Sequence, residues 1–169
     1  LQVNGDTILD ASQVFLNGDI NGGHNFTVTG DADVSGVVGG STALTSFTVQ
    51  GASTLDGGGI TTTGDQSFQR ATNLGADTTL TGGTMDFGSN VNGAFLLDIN
   101  GNADFGGAVG NSTALTSIDV SGTTNFNGAD VTTTGTQTYH GASTLAAVTT
   151  LSTTDSQVRF NGTLNGGFD

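Results

Sequence analysis

Few side chains in this sequence are suited to catalysis: it has fifteen aspartates, two histidines and two arginines, and no lysine, glutamate or cysteine. Asp31 and Asp33 lie two residues apart on a strand-like segment, so their carboxylates are expected to share one face. Glycosidases need a carboxylate pair that flanks a cleft. Asp104 stands in a similar sequence context to Asp33 but has no second acid beside it. We therefore predict no catalytic residues and no enzyme activity.

The sequence also has few features typical of metal or cofactor sites. His24 and His140 each occur without a nearby second ligand, which favours ordinary surface or corner side chains. Asp56 begins the segment DGGGI, a fragment of the Gly/Asp pattern that binds calcium in β-rolls. The corresponding segment NGADV, from residue 127, breaks that pattern. We predict no metal-binding and no cofactor-binding residues, with structural calcium at an Asp/Asn corner as the alternative.

The net charge of −13 limits the possible partners. Arg70 and Arg159 cannot form the basic patch that nucleic acids require, and an acidic protein is repelled by anionic membrane surfaces. No apolar run approaches the length of a membrane span. We expect neither nucleic-acid binding nor membrane insertion. The start at Leu1, without a signal peptide, suggests a fragment or a processed product.

The composition favours strands and turns over helices. Thr is common in strands, and Gly, Asn, Asp and Ser are common in turns, whereas most good helix formers are scarce or missing. Disorder is the first alternative for such a low-complexity chain. However, 41 of the 169 residues are Leu, Ile, Val or Phe, and they are regularly spaced. This is enough apolar material to form a core.

An internal repeat is the main feature of the sequence. The segment GVVGGSTALTSFTV at 36–49 returns as GAVGNSTALTSIDV at 107–120, with ten of fourteen positions identical. The same 71-residue offset relates most of the chain and becomes 73 near the end. We predict one solenoid segment over 1–169, with copies at about 1–71 and 72–142 and a partial copy at 143–169.

Short segments of alternating apolar and polar residues, each ended by Gly, Asn or Asp, predict short strands joined by abrupt corners. We predict an all-β parallel β-helix with turns of about 18–24 residues, three to four turns per 71-residue unit and roughly seven to nine in all. A sandwich of β-hairpins is the alternative.

The matched apolar positions predict the core. The expected inward pairs are Val28/Ile99, Val34/Phe105, Leu44/Leu115, Val49/Val120, Leu55/Phe126, Ile60/Val131, Leu74/Leu145 and Leu80/Leu151. Two three-residue ladders are also expected, Leu16/Phe87/Phe160 and Ile20/Val91/Leu164. Asn21, Asn92 and Asn165 either form a hydrogen-bonded corner ladder or are ordinary turn residues.

The strings STALTSxxVxGxxxL, VTTTGxQxYxGAxxL, TTL and FNGTLNGG resemble repeats of large bacterial surface proteins of the filamentous-haemagglutinin-like and autotransporter-adhesin-like kinds. The resemblance covers essentially the whole chain. It implies a right-handed parallel β-helix, an extended stalk or fibre, and display outside a bacterial cell. It transfers no functional residue.

We therefore expect an extracellular structural segment of a shaft or fibre, whose partners are further repeats or copies of itself stacked end to end. An adhesin module that contacts glycans or a host surface is the alternative. More remote alternatives are a carbohydrate-active β-helix and an ice-binding surface. The runs Thr61–Thr63 and Thr132–Thr134 suggest ice binding but occur only once in each repeat unit.

Overall fold

The computed structural model of the chain describes residues 1–128 and 130–167, and within that part it contains twenty strands and no helix. The strands are β1 (Thr7–Leu9), β2 (Gln13–Leu16), β3 (Asn25–Val28), β4 (Asp31–Val34), β5 (Ser46–Val49), β6 (Ser53–Leu55), β7 (Gly59–Thr61), β8 (Gln66–Phe68), β9 (Thr72–Leu74), β10 (Thr78–Phe87), β11 (Val91–Asn92), β12 (Leu96–Phe105), β13 (Ser117–Val120), β14 (Thr124–Phe126), β15 (Val131–Thr133), β16 (Gln137–Tyr139), β17 (Ser143–Leu145), β18 (Leu151–Thr153), β19 (Val158–Phe160) and β20 (Leu164–Asn165).

The described strands all pair in parallel, and each pairing joins residues 18 to 22 positions apart. A strand therefore pairs with the segment one full turn later rather than with its neighbour in sequence. The chain is a β-solenoid of about eight turns, stacked at the roughly 4.8 Å spacing of paired strands. This confirms the predicted all-β parallel coil and contradicts the sandwich of hairpins.

Each turn has three sides, which stack into three faces. Face A contains β1, β3, β5, β8, the second halves of β10 and β12, β14, β17 and β20. Face B contains β2, β4, β6, β9 and β11, then Val109, β15 and β18. Face C begins with single bridges at Gln2, Ile20 and Val38 and continues through β7, the first halves of β10 and β12, β13, β16 and β19.

Glycine is required at two corners where stacked turns approach closely. Gly22 and Gly93 have φ of +137° and +134°, a conformation that L side chains rarely adopt. A Cβ there would lie 2.1 Å and 2.3 Å from the carbonyl oxygens of Val3 and Leu74, respectively. Both positions therefore require glycine for conformation and for space.

The core is a continuous apolar column inside the three faces. Fourteen of the sixteen side chains in the predicted inward pairs are buried, and the other two, Leu145 and Leu151, are partly buried against the core. The pairwise core prediction is confirmed.

Aromatic rings extend along the interior of this column. Neighbouring ring centroids lie 5.1 to 6.2 Å apart. Six rings come from face A and the last two from face C, in the order Phe26, Phe47, Phe68, Phe87, Phe105, Phe126, Tyr139 and Phe160. Such spacings lie within the favourable range for aromatic pairs, so the stack links all but the first turn.

The two predicted three-residue ladders are wrong. Leu16 lies on face B, Phe87 on face A and Phe160 on face C. Ile20, Val91 and Leu164 are likewise divided among faces C, B and A, and Leu164 is 48 % exposed. The 71-residue offset is not a whole number of turns, so matched residues do not stack on one another.

Candidate functional site

The described part of the chain offers no cleft, cavity or cluster of three metal-ligating side chains. The interior is filled mainly by apolar side chains, with a few polar ones buried among them, so the groups available to a partner lie on the outer faces and at the two ends. These surfaces are the candidate functional site.

Carboxylate pairs line two outer faces. Asp86 and Asp104 are neighbours on face A, and Asp98 and Asp119 are neighbours on face C. Partial burial, and then the adjacent carboxylate, raises the pKa of both Asp98 and Asp104 above the ordinary value of 3.8. Each pair lies along the solenoid axis rather than across a cleft, so it supplies negative charge but no position for a scissile bond.

His140 belongs to a surface network rather than to a metal site. Its Nε2 lies 3.2 Å from Asp119 Oδ1, and its Nδ1 lies 3.1 Å from Asn161 Nδ2. An amide nitrogen can only donate, so Nδ1 accepts and the imidazole proton sits on Nε2, facing the carboxylate. His24 lies 3.9 Å from Asp6 on an earlier turn. The structure keeps the two histidines apart.

The carboxylates of Asp31 and Asp33 share the outer side of β4, as predicted, but each has a local structural partner. Asp31 accepts a hydrogen bond from the backbone N–H of Ala52 at 2.8 Å, and Asp33 accepts one from the hydroxyl of Ser35 at 3.0 Å. Such bonds fix corners, and no cleft adjoins them.

The asparagines at two corners act as turn residues. Asn21 Oδ1 accepts from the backbone N–H groups of Ser41 and Thr42, at 2.8 and 3.1 Å. Asn92 accepts in the same way from residues 112 and 113, at 2.9 and 3.2 Å. The two asparagines lie on different faces. This supports the turn interpretation over a corner ladder.

Two buried glutamines were not identified as core residues from the sequence. Gln66 Nε2 donates to the carbonyls of Ile60 and Thr81, at 3.2 and 3.0 Å. Gln137 Nε2 makes the same bonds to Val131 and Ser152, at 3.2 and 2.8 Å. The sequence did contain a signal for their burial. Side chains alternate between the two sides of a strand, so each glutamine lies on the same inward side as the aromatic residue two positions later.

Only one of these glutamines has its amide oxygen satisfied. The hydroxyl of Tyr139 donates to Gln137 Oε1 at 3.1 Å. Gln66 Oε1 is buried without a hydrogen-bond partner, because the residue two positions later is Phe68. The two sites therefore differ by one hydroxyl group.

Two matched pairs of buried hydroxyls differ in the same way, because one pair is hydrogen-bonded and the other is not. Ser53 donates to Thr72 at 3.0 Å on face B. Thr124 and Ser143 are paired neighbours on face A, with the two residue types exchanged, and both hydroxyls lack a hydrogen-bond partner. These differences are local defects of an otherwise regular core.

The two ends of the solenoid present strand edges that pair on one side only in the described part of the chain. At one end these are the segment Leu1–Val3, β1 and β2, and at the other β18, β19 and β20. Apolar side chains are exposed near both ends. They are Leu1, Ile8 and Phe15 in the first turn, and Val148, Val158 and Leu164 in the last turns. Edges of this kind can accept a further parallel strand.

No protein-family model matches the chain, and no curated protein or solved structure matches it either. The residues described by the structure include no helix of the length and apolar character needed to cross a membrane.

Proposed function

We propose that this chain is a structural segment of an extended shaft or fibre, displayed outside a bacterial cell, in which the 71-residue unit recurs along the axis. The resemblance of its repeats to those of large bacterial surface proteins supports this location. We also propose that the solenoid is right-handed, as nearly all parallel strand–crossover–strand connections are.

The uninterrupted core carries the proposal. Inward side chains fill every turn, and the rings from Phe26 to Phe160 follow the axis without a gap wide enough for a ligand. A stack of about eight turns gives a rod of roughly 38 Å at the strand spacing. Each turn buries its apolar side chains against the next, so such a rod can lengthen by adding turns without a new kind of contact.

The outer surface fits a shaft that remains separate from its neighbours. The net charge is −13, and carboxylates face outward from all three faces. Like charges repel across the sides of two parallel rods, so lateral clumping is opposed at low salt. Growth along the axis is then favoured over growth in width.

An adhesin module is the second candidate, and the exposed ring of Phe15 favours it. Sugars stack on aromatic faces, and Phe15 is 59 % exposed on the outer side of β2. The eight rings of the aromatic stack are turned inward and Phe95 is partly buried against the core, so Phe15 is the one exposed aromatic ring among the described residues.

Antibodies raised against the chain test the location. They should label intact cells of the source organism without permeabilisation, and labelling that needs permeabilised cells would contradict extracellular display. A glycan array separates the two candidates. The shaft predicts no saturable binding, whereas binding that Phe15→Ala abolishes would favour the adhesin.

A further inference from the structure

Residues that match across the 71-residue offset lie on neighbouring faces. Ile20 is on face C and Val91 on face B, while Val28 is on face A and Ile99 on face C. Between Ile20 and Val91 the chain passes eleven sides, which is three complete turns and two further sides. Each unit therefore repeats the previous one after a rotation of one face about the axis.

The three faces accept the same sequence because the local bonds are the same on each. The amide of Gln66 on face A and that of Gln137 on face C donate to corresponding carbonyls with nearly equal geometry. Asn21 on face C and Asn92 on face B likewise accept from corresponding loop N–H groups. A strand of this protein therefore fits on any face of the stack.

Two copies stacked end to end leave no side of the coil empty at their junction in one orientation only. The last three sides that the structure describes are β18 on face B, β19 on face C and β20 on face A, so the next side of the coil falls on face B. The first segment, Leu1–Val3, belongs to face C. A copy added without rotation would leave β18 uncovered. A copy turned by one face places its first segment on β18, its β1 on β19 and its β2 on β20.

We propose that the end surface formed by β18, β19 and β20 docks the opposite end of a second copy of this chain, turned by one face about the shaft axis. This inference rests on the proposed shaft function and specifies its partner and its geometry. The same rotation relates successive units within the chain.

Apolar side chains cover one another on every face of this junction. Continuing the strand register places the copy's Leu1 on Leu151, its Leu9 on Phe160 and its Val14 on Leu164. Leu1 is 68 % exposed and Leu164 is 48 % exposed in the single chain, so both gain burial. Burial of apolar area is the main favourable term in such an association.

Charge complementarity favours the same orientation. Arg159 points outward from β19, and the copy's β1 would lie beside it. In this register the copy's Ile8 lies on Arg159, and Asp6 and Asp10 lie two positions to either side of Ile8, so two carboxylates lie within reach of the guanidinium. Without rotation, β1 would lie on β20, Leu1 would lie on Phe160 and Gln2 on Asn161, and no carboxylate of the copy's first segment would lie beside Arg159.

Disulfide cross-linking tests the orientation cleanly, because the chain has no cysteine. With rotation, Phe15 of the copy lies beside Asn165, whereas without rotation Ile8 does. Outward residues paired across adjacent parallel strands are within disulfide reach. The two ends of one molecule are about 38 Å apart, so any disulfide between them joins two molecules.

The double variants Phe15→Cys/Asn165→Cys and Ile8→Cys/Asn165→Cys are compared at high protein concentration under mild oxidation. We expect a ladder of linked multimers on a non-reducing gel from the first variant and almost none from the second, with circular dichroism unchanged in both. The variant Arg159→Gln of the parent chain should weaken association in analytical ultracentrifugation.

A ladder from the second variant alone, or equal ladders from both, would overturn the rotation while leaving end-to-end docking intact. If neither variant gives a ladder and the parent chain remains monomeric at high concentration, docking itself is overturned. Labelling of intact cells is independent of both results, so a failed docking test is distinguishable from a failed shaft function.

Discussion

The clearest stability prediction concerns the unsatisfied oxygen of Gln66. Replacing Phe68 by tyrosine adds the hydroxyl that Tyr139 supplies to Gln137, at the same two-residue spacing and with the same hydrogen-bond set around the amide. A net intramolecular hydrogen bond contributes about 0.5–1.5 kcal/mol, and an unsatisfied buried acceptor costs about 1–3 kcal/mol. We therefore expect Phe68→Tyr to stabilise the fold by about 1 kcal/mol.

The reverse change at the second site should destabilise the protein. Tyr139→Phe removes the donor and leaves Gln137 Oε1 buried without a partner, at a cost of about 1–3 kcal/mol. Phe87→Tyr is the matched control, because Phe87 lies next to Phe68 in the ring stack but has Met85, not glutamine, two positions before it. Its new hydroxyl has no such acceptor, so this variant should also be less stable than the parent.

Urea unfolding followed by far-UV circular dichroism measures all three variants. A change of about 1 kcal/mol corresponds to about 2–4 °C in Tm for a chain of this size, so thermal unfolding provides a second readout. The expected order of stability is Phe68→Tyr, then the parent, then the other two variants. If Phe68→Tyr is destabilised as much as Phe87→Tyr, steric crowding outweighs the hydrogen bond and the reasoning is wrong.

Three further predictions concern a hydroxyl, a glycine and a carboxylate. Thr124→Val should leave the urea midpoint unchanged or raise it, because it removes an unpaired buried hydroxyl, whereas Thr72→Val should lower it by breaking a bond. Gly93→Ala should lower the unfolding free energy by more than about 1 kcal/mol, because φ is +134° and the new Cβ would meet backbone. Gly23→Ala is the control: a Cβ there meets no atom within 4 Å, so this variant should be close to neutral in the same urea titration. Burial raises the pKa of Asp104 in the fold, so its ionisation destabilises the protein at neutral pH. Asp104→Asn should therefore raise Tm at pH 7, and the gain should disappear below the ordinary pKa of 3.8; a gain that persists at pH 3 would contradict an electrostatic origin.

The sequence was sufficient to predict the class of fold and most of the core. Strict alternation in segments such as Phe26–Val28 indicated which side chains point inward, because a strand has a period of two. The predicted turn length, about 18–24 residues, contains the observed spacing of 18 to 22 positions between paired residues. These features are local, so they can be recognised in a single segment.

The stacking partners were not predictable in the same way. Leu16 and Phe87 match in sequence but lie on faces B and A, because the number of sides in one repeat unit depends on how many residues each corner uses. Corner lengths vary, so only the folded coil decides which residues meet. The net charge could be foreseen from composition, whereas the contact between Asp119 and His140 depends on this stacking.

The parallel pairing of all described strands also determines how the solenoid responds to force. The backbone hydrogen bonds between turns point along the axis, so tension on the two ends loads them in their own direction, and the outermost turn carries the load first. We expect the coil to peel turn by turn, each turn of roughly 20 residues releasing about 60–80 Å of chain at about 3.3–3.6 Å per residue. The protein would then extend to many times its length in small steps, and it would absorb mechanical work as each turn unfolds.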